Sequence, residues 1–390
     1  MTGMNVQSRL KKSRVGAQLI AIIKRIMIVL FSLIIGLVLL GLIYLQQPIF
    51  GKSASGKRLE RMKASRHYRD GKFQNLRFTP SLTEGYSMPG VLFDFMFRKV
   101  PNKIPAKALP SVQTDVKNLP ADSNLLVWFG HSSYYLQVEG LKILVDPVFS
   151  GNASPIPGTT RAFAGANGYG VDDMPELDYL LISHDHYDHL DYATVKALRS
   201  KVKKVVTGLG VGAHLEHWGY LPEQLMEMDW EESIELEKGI RLHALPARHF
   251  SGRTFSRNTT LWLSFLLETA EKKIFLGGDS GYDTHFAEIG HRFGPIDWAI
   301  LENGQYNLAW QAIHCLPEEV LKAACDLKAK QVIPVHSSKF SLAPHSWDEP
   351  LREVSRLNKN YGINLQTPRI GEPVYLNQQE PMYSAWWLEL

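Results

Sequence analysis

The sequence predicts an α/β protein in which mixed β-sheets are covered by helices, preceded by an apolar segment long enough to cross a membrane. Short apolar runs alternate with helical patterns from about residue 121 onwards, which indicates sheets and helices packed in layers. Two of the earliest runs are joined by Glu139 and Gly140, a pair typical of a tight turn between antiparallel strands. Near the N-terminus, 20 consecutive residues carry no charge.

The uncharged segment, residues 26–45, predicts a single transmembrane helix. As a helix it would reach roughly 30 Å, the thickness of the hydrocarbon core of a bilayer. A cleaved signal peptide would have a shorter apolar region of about 7–15 residues, and a buried core helix would show a polar face. We therefore expect a basic N-terminal tail at residues 1–25, followed by a retained membrane anchor.

The net charge of +4 conceals an uneven distribution of charged residues. Residues 1–72 contain 14 Lys and Arg against two acids, whereas the rest of the chain contains 29 against 37. The positive charge therefore flanks the apolar segment, where it suits the anionic headgroups of a lipid bilayer. A nucleic-acid partner is disfavoured, because the main domain is itself acidic.

The orientation in the membrane depends on the charges beside the apolar segment. The two sides carry nearly equal numbers of basic residues, but Lys24 and Arg25 abut the segment, whereas the chain after it opens with neutral residues. This favours a cytosolic N-terminus and a single pass through a bacterial inner membrane. The main domain is then predicted on the non-cytoplasmic side.

The chain after the apolar segment divides into two predicted parts. Residues 46–120 form a basic connector with seven prolines, which we expect to wrap the main domain. Residues 121–390 form that main domain. Its predicted strands span residues 125–129, 134–138, 141–145, 177–183, 203–207, 240–246, 261–267, 273–276, 298–301 and 331–335. Its predicted helices span residues 192–200, 283–290, 317–327 and 347–357.

A histidine-rich segment directly follows the predicted strand 177–183 and reads HDHYDHLD over residues 184–191. In an extended chain alternate residues share one side, so His184 and His186 can meet one ion. Asp188 and His189 come slightly later and can reach a second ion nearby. Imidazole and carboxylate ligands suit zinc and its first-row neighbours rather than calcium. With two cysteines in the chain, a cysteine-based zinc site is excluded.

Three further candidate ligands follow other predicted strands. His249 follows the strand ending at residue 246, Asp279 follows a strand and two glycines, and His336 directly follows the strand ending at 335. A polar residue at a single strand end is more often a turn or capping residue than a ligand. Four such segments in one chain, each where α/β proteins place their chemistry, together indicate a metal centre.

These motifs resemble the metallo-β-lactamase superfamily. The resemblance rests on HDHYDHLD, PARHF, GGDS and a late strand-end histidine, and it covers about residues 121–378. The segments WFGHSSYYLQVEGLKILVDPVFS and GPIDWAILENGQYN resemble, more narrowly, the branch that contains N-acyl-phosphatidylethanolamine phospholipase D and lactonase-like bacterial hydrolases. The resemblance implies a four-layer αβ/βα sandwich with two zinc ions in a cleft between two sheets.

The resemblance also implies a role for each candidate residue. One zinc is held by His184, His186 and His249, the other by Asp188, His189 and His336, and Asp279 bridges both. Asp188 and Asp279 are predicted to be catalytic as well as ligands. His314 is the third predicted catalytic residue, since the matching histidine of the phospholipase branch contacts the substrate phosphate. Two such ions activate a water molecule, so no side-chain nucleophile is required.

Three polar residues near the motifs are open to more than one interpretation. Asp185 fits no ligand position and is interpreted as a supporting or loop-capping residue. Asp146 and His131 either orient the metal-binding histidines or serve in turns, and the sequence alone favours neither reading.

The first functional hypothesis is a membrane-anchored dinuclear zinc phosphodiesterase of the phospholipase D type, acting on N-acyl-phosphatidylethanolamine-like lipids. The alternative is a lactonase or another carboxylic-ester or amide hydrolase, in which the anchor only sets location. A third hypothesis is a metal-binding scaffold without turnover, which the complete ligand set disfavours. A serine hydrolase is disfavoured as well, because the sequence lacks a G-x-S-x-G motif.

Overall fold

The structure is a computed structural model that describes residues 4–377 and 383–390, with side chains described from residue 18 onwards. Contacts divide the chain into two units, Met1–Phe50 and Gly51–Leu390. The first unit contains helix α1 (Met4–Tyr44) and a 3-10 turn at Pro48–Phe50. The segment Gln18–Tyr44 of α1 is long and apolar enough to cross a membrane. The predicted apolar helix is thus confirmed. Its apolar segment starts at Gln18 rather than at residue 26 and ends at Tyr44 rather than at residue 45.

Helices and short strands alternate through the second unit. Its helices are α2 (Gly56–Ala64), α3 (Met88–Phe97), α4 (Tyr192–Leu198), α5 (Gly212–His217), α6 (His285–Phe293), α7 (Pro317–Asp326) and α8 (Glu349–Leu357). Its strands are β1 (Tyr68–Arg69), β2 (Lys72–Phe73), β3 (Leu125–Trp128), β4 (Tyr134–Val138), β5 (Leu141–Val145), β6 (Leu177–Ile182), β7 (Val202–Gly208), β8 (Leu225–Met228), β9 (Ser233–Glu235), β10 (Arg241–Leu245), β11 (Ser264–Glu268), β12 (Lys273–Leu276), β13 (Ile296–Glu302), β14 (Ala329–Val335) and β15 (Pro373–Tyr375).

The larger strands form two mixed sheets. The seven-stranded sheet has the order β15-β3-β4-β5-β6-β7-β8, and β5 to β8 run parallel. The six-stranded sheet has the order β14-β13-β12-β11-β10-β9, and β12 to β14 run parallel. Central strands such as β6 are buried along almost their whole length, as expected for parallel strands covered on both faces.

Four layers result from the way the apolar faces are paired. One hydrophobic cluster lies between the sheets and joins Leu136, Ile143 and Leu181 of the first sheet to Phe265 and Ile300 of the second. A second cluster packs α4 and α5 against the outer face of the seven-stranded sheet. A third packs α6, α7 and α8 against the outer face of the six-stranded sheet. The predicted αβ/βα sandwich is confirmed.

Local sequence signals explain where several elements begin and end. Glu139 and Gly140 have φ of 47° and 74°, so the predicted tight turn between β4 and β5 is confirmed. Pro317 opens α7, and the Glu319 carboxylate accepts a hydrogen bond from the Leu316 amide at 2.9 Å, which caps the helix. Such caps set the end of each helix beside the strand that precedes it.

The structure departs from the predicted elements mainly at the periphery. Helix α6 ends at Phe293 rather than at 290, and β11 starts at Ser264 rather than at 261. The strands β8, β9 and β15 were not predicted, and neither were α2, α3 and α5. Residues 51–120 belong to the same compact unit as the sheets, and Met62 and Phe73 are buried in the cluster between them.

Candidate metal centre

The histidine-rich loop is held between the end of β6 and the start of α4. Asp191 closes it as the N-cap of α4, where its carboxylate accepts a hydrogen bond from the Ala193 amide at 3.2 Å. The other candidate ligands follow β10, β12 and β14, whose carboxyl ends lie at the facing edge of the second sheet. Both sheets therefore contribute side chains to one point.

The first cluster joins His184, His186, His249 and Asp279, which each offer a ligand atom within 4.8 Å of the others. The Nε2 atoms of His184 and His249 lie 2.9 and 3.3 Å from Nδ1 of His186. Three imidazole nitrogens that converge in this way cannot all donate hydrogen bonds to one another. A cation between them would satisfy their lone pairs.

The second cluster joins His131, Asp188, His189 and His336, again within 4.8 Å of one another. Asp188 Oδ2 lies 3.6 Å from His189 Nε2 and 2.8 Å from His131 Nε2. His131 was predicted only as an orienting or turn residue. The structure places one of its ring nitrogens within 4.8 Å of the ligand atoms of Asp188, His189 and His336. Its signal in the sequence was the Gly130-His131 pair directly after a strand.

Asp279 stands between the two clusters. Its Oδ2 lies 3.1 Å from His189 Nε2 and 3.7 Å from His249 Nε2, and its Oδ1 lies 3.2 Å from His336 Nδ1. The contacts of 3.1 and 3.2 Å lack the angles of a hydrogen bond. Among the described residues, Asp279 Oδ1, His189 Nε2 and His336 Nε2 are therefore buried without a hydrogen-bond partner. A buried polar atom without a partner raises the free energy of the folded state. These atoms would be satisfied if they served as ligands of positively charged metal ions.

Hydrogen bonds on the far side of the imidazole rings aim three histidines inward. His189 Nδ1 donates to Asp146 at 2.9 Å, His249 Nδ1 donates to the Ile313 carbonyl oxygen at 2.9 Å, and His184 Nδ1 lies 2.9 Å from Ser183 Oγ. In the neutral form of each ring, such a bond leaves the Nε2 lone pair directed at the cluster, which is the tautomer that a metal ligand needs. Asp146 thus orients a histidine, one of the two roles considered for it.

Three residues of the centre adopt a backbone conformation that L-amino acids rarely take. His131, Asp146 and His336 have φ of 53°, 42° and 66°. This left-handed region costs free energy for residues other than glycine, so the surrounding contacts hold it in place. His336, for example, donates its amide proton to the His131 carbonyl oxygen at 2.9 Å.

Asp185 lies outside both clusters and links the histidine-rich loop to residues 251–260. Its carboxylate accepts hydrogen bonds from the Gly252 amide at 2.7 Å and from Thr260 Oγ1 at 2.9 Å, and it lies 3.3 Å from His214 Nε2. It is therefore a supporting residue, as interpreted from the sequence. Because His249 immediately precedes the linked segment, Asp185 couples the positions of two ligand-bearing loops.

His314 lies beside the clusters and contacts a carboxylate that the sequence analysis missed. Its Nδ1 lies 2.7 Å from Glu302 Oε2, while Glu302 Oε1 accepts a hydrogen bond from the Cys315 amide at 2.7 Å. Glu302 is the last residue of β13, and its position at a strand end was the available signal. Asp279, Glu302, His314 and His336 form a third group within 4.8 Å of one another.

Burial and charge shift the pKa values of the centre in opposite directions. Burial lowers the pKa of His184, His249 and His336 well below the usual value, so these imidazoles are neutral and able to bind a metal. Burial also opposes protonation of His189, but Asp279 and Asp188 beside it raise its pKa well above the usual value. Burial raises the pKa of Asp279 to about 6.

A cavity of about 270 Å³ opens onto the clusters. Its inner end carries His186, Asp188, Asp279, His314 and His336. Its wall is mainly apolar and includes Leu82, Met88, Val91, Phe250, Ile313 and Leu342. Arg257 also lines it, with its guanidinium 4.6 Å from the centre of the Phe250 ring. Gln305 lines the cavity too, whereas its neighbour Tyr306 is buried and donates a hydrogen bond to Glu349 at 3.1 Å.

Two tryptophans near the C-terminus lie in the core. The sequence left open whether Trp386 and Trp387 touch a membrane interface or pack on the domain. They are 1% and 6% exposed and belong to the cluster between the sheets, so they pack on the domain.

Comparisons with known proteins agree with this architecture. A family model described as the β-lactamase superfamily domain matches residues 142–337. An uncharacterised protein of Mycobacterium tuberculosis is 35% identical, over 83% of this chain and 87% of its own length. An N-acyl-phosphatidylethanolamine-hydrolysing phospholipase D of Caenorhabditis elegans is 29% identical, over 69% of this chain and 80% of its own.

Solved structures support the fold. A metallo-hydrolase from Ignicoccus hospitalis aligns with a TM-score of 0.51 at 20% identity, over 64% of this chain and 97% of its own. The family match spans both sheets and the histidine-rich loop, and the described structure assembles His and Asp clusters able to bind metal in the cleft. The chain therefore belongs to the metallo-β-lactamase superfamily of metal-dependent hydrolases.

Proposed function

We propose that this protein is a membrane-anchored dinuclear zinc phosphodiesterase that cleaves N-acyl-phosphatidylethanolamine-like lipids in the manner of a phospholipase D. One observation supports this above the others. Two clusters of ligand atoms lie side by side, with Asp279 of the first cluster 3.1 Å from His189 and 3.2 Å from His336 of the second. Both clusters contribute to the lining of a cavity with an apolar wall and a polar inner end. A lipid has the same division between acyl chains and a charged phosphodiester.

Seven side chains are proposed as the zinc ligands, with the same assignment that the sequence resemblance implies. His184, His186 and His249 hold one ion, Asp188, His189 and His336 hold the other, and Asp279 bridges them. Bound zinc supplies Lewis acidity, which activates water and offsets negative charge on the phosphoryl oxygens. Imidazole and carboxylate donors without cysteine suit this ion, and His131 holds Asp188 from behind at 2.8 Å.

The cavity residues divide the work of binding the substrate. Leu82, Met88 and Leu342 on the wall suit acyl chains, since burying apolar surface is favourable. Arg257 on the same cavity suits a phosphate, because a guanidinium matches phosphate oxygens in geometry and charge. The relative from Caenorhabditis elegans is named for hydrolysis of a lipid with these two parts.

The proposed reaction is hydrolysis at phosphorus. The oxygen of water bonds to phosphorus, the bond from phosphorus to the ethanolamine oxygen breaks, and the proton from water ends on the departing oxygen. The products are phosphatidic acid and an N-acylethanolamine. His314 contacts the phosphate from Nε2, because its Nδ1 already faces Glu302. Asp188 and Asp279 hold the inner end of the cavity in place for the attack.

The proposed location is supported by the segment Gln18–Tyr44, which is long and apolar enough to cross a membrane. We propose that it anchors the protein by a single pass through a bacterial inner membrane. Lys24 and Arg25 beside it favour a cytosolic N-terminus, and hence a catalytic domain on the non-cytoplasmic side. The basic residues that flank the segment attract anionic headgroups and hold the anchor at the lipid surface. Protease accessibility of the catalytic domain in intact spheroplasts tests the side of the membrane.

The activity is tested with the full chain, loaded with zinc, in mixed micelles that contain N-acyl-phosphatidylethanolamine. Release of phosphatidic acid and N-acylethanolamine in equal amounts is the expected result. A parallel reaction with acyl-lactones measures ring opening. An Asp172→Asn variant, altered at an exposed position of a turn, serves as a control for handling and loading.

Two results would contradict the proposal. Ring opening without phosphatidic acid would identify a lactonase instead. Full zinc occupancy with no turnover of phosphodiester, lactone, ester or amide would identify a binding protein. Elemental analysis of the same preparation keeps these results separate from a failure of metal loading.

A further inference from the structure

Helix α3 exposes an unusually large amount of apolar side-chain surface. Six of its ten residues are large and apolar with about half of their surface exposed, and none of its residues is buried. These residues are Met88, Leu92, Phe93, Phe95, Met96 and Phe97, with exposures between 46% and 64%. A soluble protein rarely leaves so many apolar side chains together in water, so such a patch marks a surface that something covers.

The residues of α3 differ in their surroundings. Met88 and Val91, three residues apart, line the cavity above the metal clusters. Leu92, Phe93, Met96 and Phe97 are 53% to 64% exposed, and the ring centres of Phe93 and Phe97 are 5.0 Å apart. The helix therefore carries one wall of the candidate active site and, next to it, an exposed apolar face.

Basic residues follow the exposed helix in the sequence. They are Arg98, Lys99, Lys103 and Lys107, and Asp94, the one acid between residues 88 and 107, lies 3.9 Å from Arg98. Lys103 Nζ lies 4.8 Å from the centre of the Phe95 ring, so a cation is in contact with an aromatic side chain of the helix. Aromatic residues beside lysines and arginines are typical of helices that lie in the interface of an anionic bilayer.

We propose that α3 is an interfacial helix that docks the catalytic domain on the surface of an anionic bilayer. The face formed by Leu92, Phe93, Met96 and Phe97, called the docking face here, enters the headgroup region. Met88 and Val91, which line the cavity and adjoin this face, then keep the cavity mouth at the lipid surface. A lipid can reach the metal clusters without passing through water. The last point rests on the proposed function, whereas the contact with lipid does not.

The charge of the segment favours a bilayer over a second copy of this chain as the occupant. Two copies that met face to face around a two-fold axis would bring together two segments that each carry four cations and one acid. Anionic headgroups instead attract these cations. The chain also carries a helix able to span a membrane, so a bilayer is available to the domain.

The lipid contact is tested by fluorescence quenching with the full chain in vesicles of phosphatidylcholine and phosphatidylglycerol at 3:1. A Cys325→Ser background removes the exposed thiol and leaves the buried Cys315 in place. Phe93→Cys is labelled with an environment-sensitive fluorophore, and spin-labelled lipids act as quenchers. Leu221→Cys is the matched control, since Leu221 is 55% exposed in a loop outside α3. We expect at least threefold stronger quenching at position 93.

Equal quenching at positions 93 and 221, or none at either, would overturn the proposal. Disulfide-linked dimers of a Phe97→Cys variant without quenching at position 93 would also overturn it and identify a second copy as the occupant. These measurements need no substrate, so they stand even if the proposed activity is wrong.

A second arm connects docking to turnover. The paired change Met96→Glu and Phe97→Glu is expected to lower the ratio of the rate on vesicles to the rate on detergent micelles about tenfold. The paired change Ile156→Glu and Leu221→Glu, at exposed apolar positions outside α3, should leave the ratio within twofold. An unchanged ratio in the α3 variant would contradict a role of docking in substrate access.

Discussion

The two sheets supply the same centre in different ways. The seven-stranded sheet delivers His184, His186, Asp188 and His189 from one loop after β6, within six residues of sequence. The six-stranded sheet delivers His249, Asp279 and His336 from three loops, after β10, β12 and β14. The first set is contiguous in the sequence, and its loop is held by Asp146 and, through Asp185, by residues 251–260. The second set depends on the register of several strands. One half of the centre is thus close together in the sequence, whereas the other half is brought together by the whole sheet.

The two ways of supplying ligands predict which substitutions should disturb metal binding at one cluster and which should disturb it at both. Asp146 and Ser183 brace the single loop over a short distance, through contacts of 2.6 to 2.9 Å. Asp279 comes from the distributed half, yet it faces ligands of both halves. The predictions that follow start from the residue that joins the two halves.

Asp279→Asn is expected to have the largest effect. The amide keeps the size of the side chain but removes the negative charge between the clusters, so we expect bound zinc to fall from two ions towards one per chain. Hydrolysis should fall at least about a thousandfold. Elemental analysis and turnover of the purified full chain measure both. Two ions at the full rate would refute the bridging role.

Asp185→Asn tests how the two halves are connected. It weakens the link between the histidine-rich loop and residues 251–260, and we expect zinc affinity to fall about 10–100-fold. Stability should also fall by about 1–3 kcal/mol, since a buried acceptor network is left incomplete. Competition with a chromophoric chelator measures the affinity, and Asp172→Asn in an exposed turn is the control. An unchanged affinity would mean that the loops are positioned independently.

Glu302 tests the contact to His314 in the distributed half. Burial raises the pKa of Glu302 well above its usual value, which favours a protonated carboxyl that donates to His314 Nδ1. Glutamine can donate in the same place, so Glu302→Gln should keep turnover within about threefold, while Glu302→Leu should lose about tenfold or more. Zinc content should stay constant in both variants. Equal losses in the two variants would refute the donor role.

Lys339 gives the smallest effect and tests the support behind the centre. It is 1% exposed, its Nζ donates to the Phe129 carbonyl oxygen at 3.1 Å, and burial lowers its pKa to about 7. Between about pH 7 and 10.5 the unfolded chain binds a proton at this lysine that the folded chain does not. Folding stability from this group therefore rises with pH across that window.

Lys339→Met removes the titrating group, so it should stabilise the protein more at pH 6.5 than at pH 9.5. Thermal unfolding of the full chain in detergent, followed by circular dichroism at both pH values, measures the difference. A change in Tm that is the same at both pH values would contradict the expected pH dependence.

The sequence predicted the centre of the fold better than its edges. Strands such as β6 and β12 are mainly apolar, as burial on both faces requires, and their predicted positions differ little from the structure. The missed strands β9 and β15 have three residues each and lie at sheet edges. Their strand conformation is decided by pairing with a neighbour, which a local pattern cannot record.

The same reasoning separates predicted from missed residues of the site. The seven proposed ligands were identified because the loop is contiguous and because the others follow strong strands. Glu302 was missed, since it ends the apolar run of β13 and becomes a site residue only through β12 and β14 beside it. Helix α3 was not predicted because it lies in a proline-rich segment that reads as a connector. Its apolar residues are not buried in the protein, and we propose that they contact a bilayer instead.

The left-handed backbone at His131, Asp146 and His336 constrains how this scaffold can diversify. At these positions a new residue must tolerate both the unusual main-chain angle and the loss of the original side chain, so change is penalised twice. The apolar wall residues do not have this backbone conformation: they are Leu82, Met88, Val91, Phe250, Ile313 and Leu342. New substrate preferences in this lineage should therefore arise by exchange of wall residues, while the inner end stays constant.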